Sequence, residues 1–581
     1  MTEENRMTEE NIVIEDNDYD KRRREALAEI DNAKFGWFHI RTCIVAGVGF
    51  FADAYDIFAI NLVVIMLGYV YYGKSSLPPD VDLSLKIATP IGTFIGQFGF
   101  GILADLVGRK RMYGVELMII MISTFAICLV ANSYVYDPNS KTFVSNAKVI
   151  SAQGLMLFLR ILLGIGIGGD YPLSAIIASE FATTKRRGAM IAAVFAMQGF
   201  GILTAAITST LAVVAFHSSI SATNYSSIDY IWRIVTGVGA VPAFIALYYR
   251  LTIPESPRYT MDIERNINKA TTDISTVMKY GKYQPREEDV IIKVDAPKPS
   301  LYDFFAHFGK WKNGRVLLGT AFSWFALDIA FYGIGLNNNI ILQSIGFLGD
   351  GKDPYETLYK ASVGNIIIAM LGTVPGYWIT VFLIDIWGRR PIQLMGFAVL
   401  TILFIILGVA YSQLMSINWL FILIFTLSQL FSNFGPNVTT FVVPGEVFPT
   451  RYRSTGHGLS AASGKLGAII SQVGFFKLKD IGGAPGSNAF LNWLFVIFAI
   501  FMFSGLIVTY FCVPETKNLT LEDLSNEDQK GFVKGIKPKL EVNNNNQVNN
   551  NDQVNNNDQV NNNDQVNNND QVNDNDQVND K

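Results

Sequence analysis

The chain has 581 residues, 50% of them hydrophobic and only 17% charged, with a formal net charge of -4. Its mean hydropathy is +0.27, too apolar for a soluble protein of this length, so a polytopic membrane protein is expected. The small net charge says little by itself, and no nucleic-acid partner is expected.

Residues 1–35 are highly charged and repeat MTEEN at Met1 and Met7; they read as a cytoplasmic tail. No cleavable signal peptide is expected, because the first apolar run starts only after this polar stretch. Runs of about 20 apolar residues predict twelve spans. They fall near 40–70, 87–106, 112–132, 150–176, 188–216, 231–250, 316–345, 361–385, 392–411, 417–443, 456–477 and 490–513. An all-α membrane fold follows, with two six-helix halves at 36–250 and 316–515, a polar central loop at 251–315 and a second cytoplasmic tail at 516–581.

The first span carries Asp53 and Asp56 in FFADAYDIFAIN. Three residues apart, they lie about 60° apart on one helix face and are expected to look inward, the alternative being a pair of acids at a flared helix end. Between spans two and three, Asp105 and Arg109 belong to GILADLVGRKR, where an acid followed by bases suits a tight loop held by charge pairing and helix-end dipoles. Cys43, Cys128 and Cys512 lie in or beside spans, so no disulfide framework is expected.

Span four, RILLGIGIGGDYPLSAIIASE, holds Arg160 and Asp170 in an otherwise apolar run. A charge at the bilayer centre costs roughly 2.5 to 3.5 kcal/mol, so such residues face a protein interior or a water-filled path. The glycines do not follow a strand, which argues against a phosphate-cradling nucleotide loop. Gly164 and Gly168 fit close helix packing, and they can also line a cavity.

In span five, Gln198 can bind a ligand or bridge helices. Asn224-Tyr225-Ser226 is a candidate glycan acceptor, and the central loop shows no catalytic constellation. Trp324, Asp328 and Tyr332 recur every four residues in span seven, within about 80° of arc. Their indole, carboxylate and phenol can act together on a ligand. Asn437 follows Gly435-Pro436, which can open a helix towards a cavity. Lys465, inside span eleven, needs an anion or an acid as partner. His39, His217, His307 and His457 are placed at span ends or in the loop, without metal spacing. From Val542 the tail repeats NNNDQV, and disorder is its default.

Basic clusters at 21–24, 109–111, 185–187, 251–315, 389–390 and 451–453 fall on one side, which the positive-inside rule makes cytoplasmic together with both termini. Two internal repeats relate the halves. Gly96, Asp105, Gly108 and Arg109 match Gly376, Asp385, Gly388 and Arg389 at identical spacing, and Tyr171 to Glu180 parallels Asn437 to Glu446. Such repeats imply a pseudo-two-fold axis along the membrane normal, with the transported species bound near midplane between the halves.

This pattern resembles the major facilitator superfamily, and GIGIGGDYPLSAIIASE at 164–180 closely resembles the signature of its phosphate:proton symporter family, the high-affinity inorganic phosphate transporters of fungi and plants. The resemblance covers roughly 36–520. PESPRY (254–259) and PETK (514–517) also resemble sugar porters. Where family members often carry Thr or more polar residues, this chain has Ala52, Ile176 and Ala178, none of them an implied ligand. The resemblance implies uptake of inorganic phosphate with protons into the cell across the plasma membrane. It implies Tyr171, Gln198, Trp324, Asp328, Tyr332 and Asn437 as phosphate ligands, with Lys465 beside them. Desolvated Asp53, Asp56 and Asp170, with Asp328 itself, are candidate proton carriers, with Arg160 expected to pair with a first-span acid in one conformation. Asp105, Arg109, Asp385 and Arg389 are expected in the gating loops. A sugar or organic-ion porter and a phosphate-sensing receptor are the alternatives. No enzyme activity, metal or cofactor is expected, for want of a nucleophile–base pair or metal cluster.

Overall fold

A computed structural model describes residues 27–28, 30–131, 134–137, 142–145, 151–220, 225–251, 256–262, 300–349, 353–484 and 486–525. Most of both tails, the Asn224 acceptor and most of the central loop lie outside the described residues.

The twelve expected spans are all helices. They run Trp37–Tyr72 (α1), Pro79–Val107 (α2), Arg109–Cys128 (α3), Ala152–Glu180 (α4), Thr184–Ala215 (α5), Ser226–Leu251 (α6), Trp311–Gly335 (α7), Pro354–Trp387 (α8), Arg389–Val409 (α9), Asn418–Val447 (α10), Arg453–Leu478 (α11) and Leu491–Cys512 (α12). Eleven are long and apolar enough to cross a bilayer. The exception, α11, spends much of its length on Ser, Gly and the buried Arg453, His457, Lys465 and Gln472, and keeps Leu466, Ile470 and Val473 for its outward face.

Several boundaries move for local reasons. Helix α7 stops at Gly335 rather than 345, and Asn338–Ser344 forms a separate short helix after the turn. Helix α8 starts earlier, where Asp353 Oδ1 caps Tyr355 N at 3.0 Å and Pro354 occupies the first turn, a favourable start for a helix. A π turn at Ala369–Thr373 precedes Pro375, which has no N–H to offer the ladder. Helix α10 breaks at Phe434-Gly435 before Pro436. Between α3 and α4, where a loop was expected, Tyr134–Asp137 pairs antiparallel with Thr142–Ser145.

Glycines set the packing. A Cβ on Gly164 would overlap Thr89 O, and one on Gly168 would overlap Thr93 O, while Gly92 and Gly96 of α2 are equally closed by Ile161 O and Ile165 O of α4. Packing is thus the role the structure gives Gly164 and Gly168. Gly376, the repeat partner of Gly96, is pressed against Leu430 O of α10 in the same way, so the repeated motif seats the same helix pair in each half. Helices α1 and α5 pair as α7 and α11 do, α2 packs on α11 across the halves, and α5 packs on α8. These contacts exchange under the pseudo-two-fold.

Candidate transport site

The helices bring a polar cluster to the centre of the apolar core. Tyr171 (α4), Gln198 (α5), Trp324, Asp328 and Tyr332 (α7), Asn437 (α10) and Lys465 (α11) are all buried. Lys465 Nζ donates to Asp328 Oδ2 at 2.8 Å. The same ammonium lies 4.4 Å from the Tyr332 ring centroid and 5.1 Å from that of Tyr171, so Asp328 and Tyr171 face one place. Gln198 Nε2 donates to Tyr171 Oη at 3.2 Å, Tyr377 Oη donates to Gln198 Oε1 at 3.3 Å, and Asn437 Nδ2 donates to Tyr377 Oη at 2.8 Å. This chain of bonds crosses from one half to the other.

Aromatic rings close the cluster at both ends. Phe195 stacks on Phe441 at 4.2 Å, with Phe50 edge-on to Tyr171 and Phe441 at 5.1 Å each. On the other side Phe58 of α1 stacks on Tyr332 at 6.0 Å. His457, expected at a span end, sits a turn inside α11, fully buried, with Nε2 3.2 Å from Phe441 O and its ring edge-on to Trp324. The polar start of α11 had hidden the helix boundary.

A second cluster lies in the first half. Arg250 of α6 donates Nη1 to Glu116 Oε1 at 2.9 Å and Nη2 to Asp170 Oδ2 at 2.7 Å. Asp53 is fully buried, neither of its oxygens has a hydrogen-bond partner among the described residues, and it interacts electrostatically with Asp170, Arg250 and Glu116. Three carboxylates therefore share one guanidinium. Asp56 accepts from Thr124 Oγ1 at 2.8 Å and shares a small cavity with Arg160. Both first-span acids point inward, which disposes of the flared-end alternative. Arg160 makes no direct ion pair with a first-span acid in this state: its Nε donates to Leu85 O at 3.1 Å, while its charge acts on Asp56 across the cavity they share.

Gly49, one turn before Asp53, leaves the space for this cluster, since a Cβ there would overlap Arg250 Nη2 and Asp170 Oδ2. Gly49→Ala is expected to split the Arg250–Asp170 pair. Breaking a buried ion pair costs about 3 to 5 kcal/mol, so thermal unfolding of the purified protein should move down by several degrees; an unchanged midpoint would contradict the geometry.

Near the basic end, latches join the halves. Asp105 accepts from Thr455 N at 2.7 Å and Thr455 Oγ1 at 2.9 Å, Arg109 Nη2 donates to Thr450 O at 2.7 Å, and Arg453 Nη1 donates to Glu180 Oε1 at 2.8 Å. Of the repeat partners, Asp385 Oδ2 accepts from Ala189 N at 2.9 Å across the halves, while Arg389 Nη2 pairs with Glu446 Oε1 at 2.7 Å within the second half. The basic end is closed. Glu180→Gln removes the anion shared by Arg453 and Arg109, and should open this end. A cysteine at Ala175, buried beside Gly445, would then react faster with a water-soluble thiol reagent once the three native cysteines are replaced. Unaltered labelling would exclude this gating role.

Tyr377, Arg250 and Glu116 were not singled out from the sequence. Among the described residues, no three His, Cys, Asp or Glu side chains converge as a metal site.

Two pseudo-symmetric bundles that close around a buried polar cluster define a secondary transporter working by alternating access. Residues 42–527 match the family described as Sugar (and other) transporter. The chain is 51% identical to the repressible high-affinity phosphate permease of Neurospora crassa, over 88% of this chain and 90% of that one. It is 46% identical to the inorganic phosphate transporter PHO84 of Saccharomyces cerevisiae, over 87% of each. A solved xylose transporter XylE from E. coli, in a partially occluded inward-open conformation, shares the fold with a TM-score of 0.59 at 19% identity, over 83% of this chain and 99% of that one. The chain belongs to the major facilitator superfamily, in the branch that holds these fungal inorganic phosphate transporters.

Proposed function

We propose that the chain imports inorganic phosphate together with protons. The observation that carries this reading is the Asp328–Lys465 pair set among neutral donors from both halves. Lys465 offers an ammonium, and Tyr171, Gln198, Trp324, Tyr332, Tyr377 and Asn437 offer O–H or N–H donors suited to an oxyanion. Asp328 accepts the proton of a phosphate P–OH. Sulfate has no such proton near neutral pH, so it would leave the carboxylate repelled and unpaired, which is a strong basis for rejection. A sugar needs no cation at its centre.

Protons ride on Asp53, Asp56 and Asp170: Asp53 and Asp170 crowd the Arg250 guanidinium together with Glu116, and Asp56 lies beside Arg160. The halves 36–250 and 316–515 rock about the central cluster, with the latches of Asp105, Arg109 and Asp385 parting when the basic end opens and Arg389 holding Asp385 and Glu446 in place beside them. That end faces the cytoplasm with both termini, on the strength of the basic clusters, and the membrane is the plasma membrane. The test is uptake of labelled phosphate into proteoliposomes under a pH gradient. Phosphate should compete in counterflow and hexoses should not; hexose competition would turn the reading towards a sugar porter, and saturable binding without flux would turn it towards a receptor.

A further inference from the structure

We propose that the cavity at the end opposite the basic clusters is a second, outer oxyanion site built on Lys86, which captures phosphate ahead of the central chamber; this rests on the phosphate reading above. The cavity measures about 550 Å³ and is lined from both halves, by Asn61 and Lys86 on one side and Asn337, Asn339, Lys479 and Asn488 on the other.

Lys86 is only 5% exposed. Its ammonium donates to Asp82 Oδ2 at 2.9 Å and to Asn337 Oδ1 at 3.0 Å, and an ammonium has three protons to give. Asn337 in turn donates to Gln472 Oε1 at 3.1 Å, and Gln472 Nε2 donates to Tyr332 O at 2.6 Å. Two amides thus join the outer lysine to the helix turn that carries Tyr332. The Lys86–Asn337 bond also spans the two halves, beside Asn61 Nδ2 donating to Gly335 O at 2.6 Å. Beneath it, Phe58 against Phe331 and Tyr332 covers the chamber.

A phosphate oxygen arriving at Lys86 competes for the same protons as Asn337 and Asp82. Capture therefore weakens the bond that holds the outer end shut, and places the anion directly over the aromatic cover. The rim also holds Lys479 paired with Asp480 at 2.9 Å, the same length as the Lys86–Asp82 pair, and Asp82 is the acid that competes for Lys86. A cation in a narrow low-dielectric mouth also speeds anion arrival, an effect that salt screens.

The experiment compares initial phosphate uptake by wild type, Lys86→Gln, Lys86→Arg and Asp82→Asn in proteoliposomes at fixed pH gradient and varied ionic strength. Lys86→Gln should lower kcat/KM about tenfold at low salt while the maximal rate is largely kept, and should lose most of the salt dependence; Lys86→Arg should restore both. Asp82→Asn should raise kcat/KM, because the competing carboxylate is gone. Should Lys86→Gln reduce kcat and kcat/KM equally with the salt dependence intact, or Asp82→Asn impair uptake as Lys86→Gln does, Lys86 is a structural tie and the outer site falls. Equilibrium binding of labelled phosphate to purified Lys465→Gln separates this from the transport reading. Weak saturable binding that vanishes on adding Lys86→Gln supports the outer site even if wild type moves no phosphate, and its absence overturns the site even if wild type does.

Discussion

Asp328→Asn should stop phosphate turnover while leaving an anion-binding protein. The carboxylate is the salt-bridge partner of Lys465 in the central chamber, at 2.8 Å and with both side chains almost fully buried. Removing it strands an ammonium in the core, at a cost of about 3 to 5 kcal/mol. An anion that settles on Lys465 recovers much of that energy. Binding is therefore retained or tightened, but each cycle must release the anion and expose the bare charge again. A penalty of about 3 kcal/mol on that step slows it by more than about a hundredfold. Selectivity should change too, because the asparagine no longer repels an unprotonated oxyanion, so sulfate should displace phosphate from the variant and not from wild type. Counterflow and equilibrium binding, each with sulfate as competitor, read the two effects. Wild-type turnover by the variant, or continued exclusion of sulfate, would remove Asp328 from its assigned role.

The residues legible in the sequence were those whose chemistry is out of place in an apolar run. Asp53, Asp170, Asp328 and Lys465 each demand a protein interior, and all four are buried in one. Arg250 escaped notice for the opposite reason. It closes α6 beside the basic loop, where an arginine reads as a marker of topology rather than a ligand for acids. Glu116 likewise sits at the start of a span, and Tyr377 is one aromatic among many. Nothing local distinguishes them. The latches were half legible: the repeats pointed to Asp105, Arg109, Asp385, Arg389, Glu180 and Glu446, but their partners lie far along the chain, 273 residues apart for Arg453 and Glu180. Pairings of that range come from the way the halves meet. Arg160 was legible as a partner for the first span, and it shares a cavity with Asp56, but that Arg250 would take Glu116 and Asp170 depends on how α6 packs and not on sequence distance.

Asp53→Asn should uncouple transport from protons without dismantling the site. Arg250 keeps Glu116 and Asp170 as its partners, and an amide is close in size to the carboxylate it replaces, so the helices should hold. What is lost is a group that can take up and release a proton inside the membrane. Each coupled proton supplies about 1.36 kcal/mol per unit of pH gradient, which allows roughly tenfold accumulation per unit for one proton. The variant should equilibrate phosphate across the membrane and exchange it in counterflow, yet concentrate none of it. Its exchange rate should also lack the rise expected of wild type as the outside is acidified. Asp56→Asn tests the neighbouring route, where Thr124 donates to Asp56 and Arg160 shares the cavity; there the loss should be accompanied by a stray charge on Arg160 and lower stability. If both variants still accumulated phosphate to the wild-type ratio under a pH gradient, neither first-span acid would carry the coupled proton, and Asp170 with Glu116 around Arg250 would be the place left to look.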